Sequence, residues 1–138
     1  MTLNAVSLEK SRTSRDKVRS RVLVVDDEPL IRWATSSTLS DAGFTVVEAS
    51  DVDEARRLFE SAPVDLVLLD VRLPGGNGLA LMQELHGVQP ECRFIMMAAF
   101  WTAELRTEAA VQHVPVLDKP FAMSDLVGLV RKMMAPQR

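Results

Sequence analysis

The chain has 138 residues, 16 Lys and Arg against 19 Asp and Glu, and a formal net charge of -3. That length is the common size of one domain, since a second core would need roughly 50 residues of its own. With 47% apolar and 25% charged residues the composition is that of an ordinary globule, and this charge balance implies neither nucleic acid nor an acidic membrane surface as partner.

The first twenty residues are polar and rich in Ser, Arg and Lys, with no sustained apolar period. They read as a flexible tail, residues 1–20. Its basic residues Lys10, Arg12, Arg15, Lys17 and Arg19, with Arg21 just after, are interrupted by Glu9 and Asp16 with no aromatic between them, which favours a solvated segment over a binding arm. From Arg21 to residue 134 short apolar runs alternate with stretches of helical period, the pattern of βα units around a parallel sheet. The runs RVLVVD (21–26), FTVVEA (44–49), VDLVLLD (64–70), RFIMMA (93–98) and VPVLD (114–118) are predicted strands. Each is too short for a helix, and most are too uniformly apolar for a sheet wetted on one side.

The first helix is expected from Pro29 to just before Gly43, because proline in the first turn forfeits no hydrogen bond. A second, capped by Ser50 or Asp51, runs to about Ser61. The third is capped by Asn77 and carries Leu81, Met82 and Leu85 at helical spacing. The fourth covers Thr102 to Val111. The fifth starts near Met123 with Ser124 as its cap and aligns Leu126, Leu129, Val130 and Met133 along one core stripe. Residues 135–138 form a short C-terminal tail. The single cysteine, Cys92, can form no internal disulfide, and neither a charged-then-apolar leader nor a run of about 18 apolar residues is present, so a reducing cytoplasm is the expected location and no membrane is implied.

Open parallel sheets bind ligands at the carboxyl ends of their strands. There this sequence places Asp26, Asp27 and Glu28 after the first strand, Asp70 at the end of the third, and Asp118-Lys119-Pro120 at the end of the fifth. Two carboxylates about 4 Å apart repel by on the order of 4 kcal/mol at an effective dielectric of 20, which draws a proton or a cation into such a site. Magnesium suits an all-oxygen donor set and keeps several waters. Asp27, Asp70 and the backbone carbonyl of Arg72 can supply the protein's share, with Asp26 holding a metal-bound water. His86 and His113 are expected on helix surfaces or loops, away from any zinc-like cluster. Asp70 is a competent nucleophile for phosphoryl transfer, and Lys119 supplies the countercharge for the group transferred.

The motifs VLVVDDEP (22–29), LVLLDVRLPGGNGL (66–79) and LDKPF (117–121) together closely resemble the receiver domain of two-component response regulators. The resemblance covers residues 21 to 134. It implies a flavodoxin-like (βα)5 sandwich with strand order 2-1-3-4-5, and a sensor histidine kinase or histidine phosphotransfer protein as phosphoryl donor. Asp70 matches the phosphoacceptor, Asp26 and Asp27 the metal-site acids, Arg72 the carbonyl ligand, and Lys119 the family's lysine. Pro74 and Gly78 match the turn and helix start after the acceptor.

Two positions depart from the family. Ala98 stands where receivers carry the Thr or Ser that grips a phosphoryl oxygen, and Val116 where they carry a mobile aromatic. The loss of a charge-assisted hydrogen bond, roughly 1.5–3 kcal/mol, is comparable with the free energy that moves a two-state switch. Phe100 and Trp101 beside this position either pack into the vacated space, the favoured reading, or form a docking patch for a downstream target; a docking Trp101 would be exposed. Three functional readings follow: a stand-alone phosphorylation-dependent switch, monomeric or weakly dimeric; a pseudo-receiver that docks constitutively; and the receiver piece of a longer transcriptional regulator. DNA binding by this piece is not expected, since no helix-turn-helix candidate lies beyond the domain. A haloacid-dehalogenase-like phosphohydrolase would need an acid where Arg72 stands, and Gly75-Gly76-Asn77-Gly78 lacks the Lys and Ser/Thr of a Walker-type nucleotide loop.

Overall fold

A computed structural model describes residues 20–135. The N-terminal basic segment and residues 136–138 lie outside them. Five strands form one parallel sheet: β1 Arg21–Val25, β2 Thr45–Ala49, β3 Leu66–Asp70, β4 Arg93–Ala98 and β5 Val116–Asp118, in spatial order β2-β1-β3-β4-β5. Five helices connect and follow them: α1 Pro29–Asp41, α2 Val52–Ser61, α3 Gly78–Val88, α4 Ala103–Val111 and α5 Met123–Met134. The alternating pattern predicts this parallel βα sheet, and the family resemblance implies its flavodoxin-like form and strand order, which the structure bears out. Ser20 is buried and its carbonyl accepts a hydrogen bond from the Thr45 amide at 3.0 Å, so it is tied to the sheet.

Alternation along each strand divides the core in two. Leu23, Val25, Val67, Leu69, Phe94 and Met96 face α2, α3 and α4, meeting Phe59, Met82, Leu85 and Ala109. Val22, Val24, Leu66, Leu68, Ile95 and Met97 face α1 and α5, meeting Leu39, Leu126 and Val130. Both sheet faces are thus dry, which is why these strands read as continuous apolar runs.

Side chains cap the starts of α2, α3 and α4, whereas α1, which opens on Pro29 after Glu28, and α5 have no side-chain cap bond. The Asp51 carboxylate accepts from the Glu54 amide at 2.8 Å, and Asn77 Oδ1 accepts from the Ala80 amide at 2.8 Å. Past α1, Gly43 takes φ +104°, a left-handed turn that an L side chain resists. In α5 the expected cap is not found: Ser124 lies inside the helix, and the N-cap is Ala122, whose carbonyl accepts from both Asp125 and Leu126 but whose side chain offers no acceptor. Among the described residues no helix is long and apolar enough to cross a membrane.

Cys92 is buried, and burial, reinforced by the negative charge of Asp65, pushes its thiol up to about 12. Thiolate is therefore scarce at pH 8. Iodoacetamide at that pH is expected to leave the native chain unmodified while labelling the urea-unfolded chain; rapid stoichiometric labelling of native protein would contradict this placement.

Candidate functional site

Strand register brings the charged tips together. Val25 lies opposite both Ala49 and Leu69, Asp70 opposite Met97, and Ala98 opposite Asp118. The next residue on each strand keeps the ladder for one further bond: the amide of Asp26 donates to the Ala49 carbonyl at 3.1 Å, Val71 to Met97 at 2.9 Å, and Lys119 to Ala98 at 2.9 Å. Asp26, Asp70 and Lys119 therefore leave the sheet along one rim. The Lys119-Pro120 peptide bond is cis.

The Lys119 ammonium donates to Asp26 Oδ2 at 2.7 Å, to Asp70 Oδ2 at 2.7 Å and to Glu28 Oε1 at 2.9 Å. The lysine side chain is only 5% exposed, and those of Asp26 and Asp70 are 1% and 10% exposed. Burial works against the Lys119 charge, but hydrogen bonds to Asp26, Asp70 and Glu28 outweigh it and hold the pKa above the ordinary lysine value. Burial raises the Asp26 pKa despite the opposing hydrogen bonds from Lys119 and the Glu28 amide. The remaining oxygens of the two buried acids are also engaged: Asp26 Oδ1 accepts from the Glu28 amide at 2.9 Å, and Asp70 Oδ1 from the Arg72 amide at 3.1 Å.

Asp27, by contrast, is exposed. Ligand oxygens of Asp26, Asp27 and Asp70 lie within 4.8 Å of one another. This hard, all-carboxylate set fits a magnesium-like cation and not a zinc site, which would use nitrogen or sulfur. Both oxygens of Asp26 and both of Asp70 already accept hydrogen bonds, whereas the Asp27 carboxylate is exposed and open to a cation. A cavity of about 240 Å³ opens beside them, lined by Glu28, Asp70, Arg72, Ala98, Ala99, Phe100 and Lys119. Another of about 240 Å³, bounded in part by Met82, His86, Cys92, Phe94 and His113, has no carboxylate in its lining.

Gly78 fixes Asp70 from behind. A Cβ there would collide with the Asp70 carbonyl oxygen and come within 3.0 Å of the Met96 side chain, and the Gly78 amide already donates to Val71 at 2.7 Å. Gly78→Ala is expected to cost about 1–3 kcal/mol through overpacking against backbone that cannot yield. Urea denaturation reads this cost, and an unchanged midpoint would show that the close approach does not constrain β3.

Ala98 is buried at the end of β4 and Val116 is half-buried in β5. Phe100 and Trp101 take different paths. Phe100 is 72% exposed, whereas Trp101 is half-buried and, like Leu105 and Val116, packs against the core. The exposure expected of a docking Trp101 is therefore not found, because the indole packs against the core. Arg106 sits over the ring at 5.6 Å and also reaches Asp118 Oδ1 at 3.3 Å. The indole Nε1 is buried without a hydrogen-bond partner.

Two contributors escaped sequence reasoning. Glu28 was visible as a third acid, but only the fold shows it reaching Lys119. Arg32 donates to the Asp26 carbonyl at 2.7 Å and pairs with Glu48 at 3.1 Å, tying α1 to the acidic tip; its place one helical turn after Glu28 was the available signal.

A doubly covered parallel sheet with three acids and a lysine on one rim defines a class of signalling domain, and comparison with known proteins identifies it. The family model described as response regulator receiver domain matches residues 22–131. The chain belongs to that family. It is 33% identical over 115 residues to the DNA-binding transcriptional regulator NtrC of Salmonella typhimurium, covering 83% of this chain and 24% of that protein. The chain spans about a quarter of the length of such relatives. Among solved structures, a CheY-like receiver domain protein from Methanospirillum hungatei superposes with TM-score 0.80 at 25% identity, covering 84% of this chain and 94% of that one. The response regulator TrrA of Thermotoga maritima, solved with Mg(2+)-BeF, gives 0.74 at 30% identity, covering 83% and 98%.

Proposed function

We propose that this domain accepts a phosphoryl group on Asp70 in the presence of magnesium, from a sensor histidine kinase or a histidine phosphotransfer protein in the cytoplasm, and passes the signal to a downstream protein by docking. The observation that carries this reading is the contact of Lys119 Nζ with Asp70 Oδ2 inside a triad of aspartates able to hold a hard cation. A carboxylate oxygen of Asp70 attacks the phosphorus of a donor phosphohistidine; the new O–P bond forms as the P–N bond breaks and the imidazole leaves. Lys119 neutralises one phosphoryl oxygen, and the cation, when bound, neutralises charge on the transferring group. The backbone carbonyl of Arg72 is assigned to the cation, and Asp26 to a water that the cation holds.

A second reading, a module that docks without phosphorylation, is favoured by Ala98, which has no hydroxyl for the phosphoryl group, and by Val116, which stands in place of a mobile aromatic. The exposed Phe100 is then the docking contact. Treatment with beryllofluoride and magnesium separates the two. A saturable adduct that disappears in Asp70→Asn supports the phosphoacceptor, and no adduct in the wild type favours the module. The sequence of the gene past Arg138 decides whether either one serves a longer transcriptional regulator.

A further inference from the structure

We infer that Glu28 is the displaceable ligand of Lys119: its carboxylate holds the third ammonium N–H until a phosphoryl oxygen on Asp70 replaces it. The inference rests on the phosphoacceptor reading and adds a residue that opposes occupation of the site. A lysine ammonium has three donors and accepts nothing. All three are taken, by Asp26, Asp70 and Glu28. A phosphoryl oxygen can reach Lys119 only if one of these bonds opens.

The three are not equally able to leave. Asp26 is fully buried, and its second oxygen is held by the Glu28 amide. Asp70 is buried, fixed by the Arg72 amide, and is itself the acceptor. The Glu28 side chain is 56% exposed, and its carboxylate has no other hydrogen-bond partner among the described residues. Water can take over its hydration as it swings out, which makes it the weakest of the three bonds. Glu28 also lines the cavity that Asp70 and Lys119 open into, so its negative charge faces any incoming phosphoryl group. Its backbone acts separately, with the amide on Asp26 and the carbonyl accepting from Arg32 at 2.9 Å. Changing the side chain leaves those bonds in place.

The test measures beryllofluoride affinity at fixed magnesium for wild type, Glu28→Gln and Glu28→Ala, with a magnesium titration of each and ¹³C NMR of the Glu28 carboxyl carbon in the wild type. Both variants are expected to bind about fivefold more tightly, with Ala at least as tight as Gln. Magnesium affinity should be no lower, and the Glu28 resonance should move to that of a solvated carboxylate in the complex. Wild-type binding with unchanged affinity in both variants would overturn the inference and leave the phosphoacceptor intact. Weaker binding together with weaker magnesium affinity would overturn it by making Glu28 a metal ligand. No beryllofluoride binding by any of the three proteins would remove the phosphoacceptor reading and this inference with it.

Discussion

Lys119→Met is expected to cost the metal-free protein about 3–5 kcal/mol, the range for removing one partner of a buried ion pair. Methionine keeps much of the apolar stem, so lost packing contributes little and the effect isolates the ammonium. Without it, the buried carboxylates of Asp26 and Asp70 face each other with only the backbone amides of Glu28 and Arg72 as donors. A buried charge left without its counterion either repels its neighbour or takes up a proton, and both outcomes weaken folding near neutral pH. Magnesium should restore part of the loss by mass action, about 2.7 kcal/mol at a hundredfold excess over its dissociation constant. Urea denaturation with and without magnesium measures both quantities. A variant as stable as wild type in chelator would mean that Lys119 does not hold the acids together.

Asp27→Asn should act in the opposite direction on stability and strongly on the metal. Asp27 is exposed and makes no ion pair among the described residues, yet its carboxylate lies within 4.8 Å of those of Asp26 and Asp70. Unit charges at that spacing repel by about 1 kcal/mol in water and about 3–4 kcal/mol at an effective dielectric of 20. Neutralising the exposed member is therefore expected to stabilise the metal-free protein by roughly 1 kcal/mol. It also exchanges the anionic ligand proposed at this position for a neutral amide oxygen, so magnesium should bind at least about tenfold more weakly, equivalent to about 1.4 kcal/mol. Calorimetric titration and thermal denaturation of the same samples read the two signs together. Unchanged magnesium affinity would place the cation elsewhere.

The sheet was legible because burial on both faces makes each strand an uninterrupted apolar run, and strand order came from family resemblance, since periodicity does not encode it. The strand starts were less legible. Phe44, Val64 and Val114 are as apolar as strand residues but do other work: the Phe44 amide closes α1 on Leu39, Val64 is buried ahead of the ladder, and the Val114 amide bonds Ala109 at the end of α4. Pro115 has no amide to donate, so β5 begins at Val116. The short ladder pairing Arg72–Leu73 with Gly76–Asn77 gave no periodic signal, being two residues long on each side.

At the site, a residue's place at a strand tip predicted which carboxylates share the rim, because register leaves them no other direction. It did not predict the long reach from Glu28 to Lys119, which depends on side-chain direction after β1. Nor could it settle the fate of two adjacent aromatics after β4. Trp101 packs against the core under Arg106, while Phe100 turns to water, a difference set by tertiary packing and not by local sequence.

The most direct test of the phosphoacceptor is intact-mass spectrometry of the purified chain after incubation with acetyl phosphate and magnesium, followed by peptide mapping, with Asp70→Asn and a chelator as controls. One added phosphoryl group on Asp70, absent in the variant and in chelator, is the predicted result. A wild-type chain that gains no mass, or gains it equally in the Asn variant, would contradict the account.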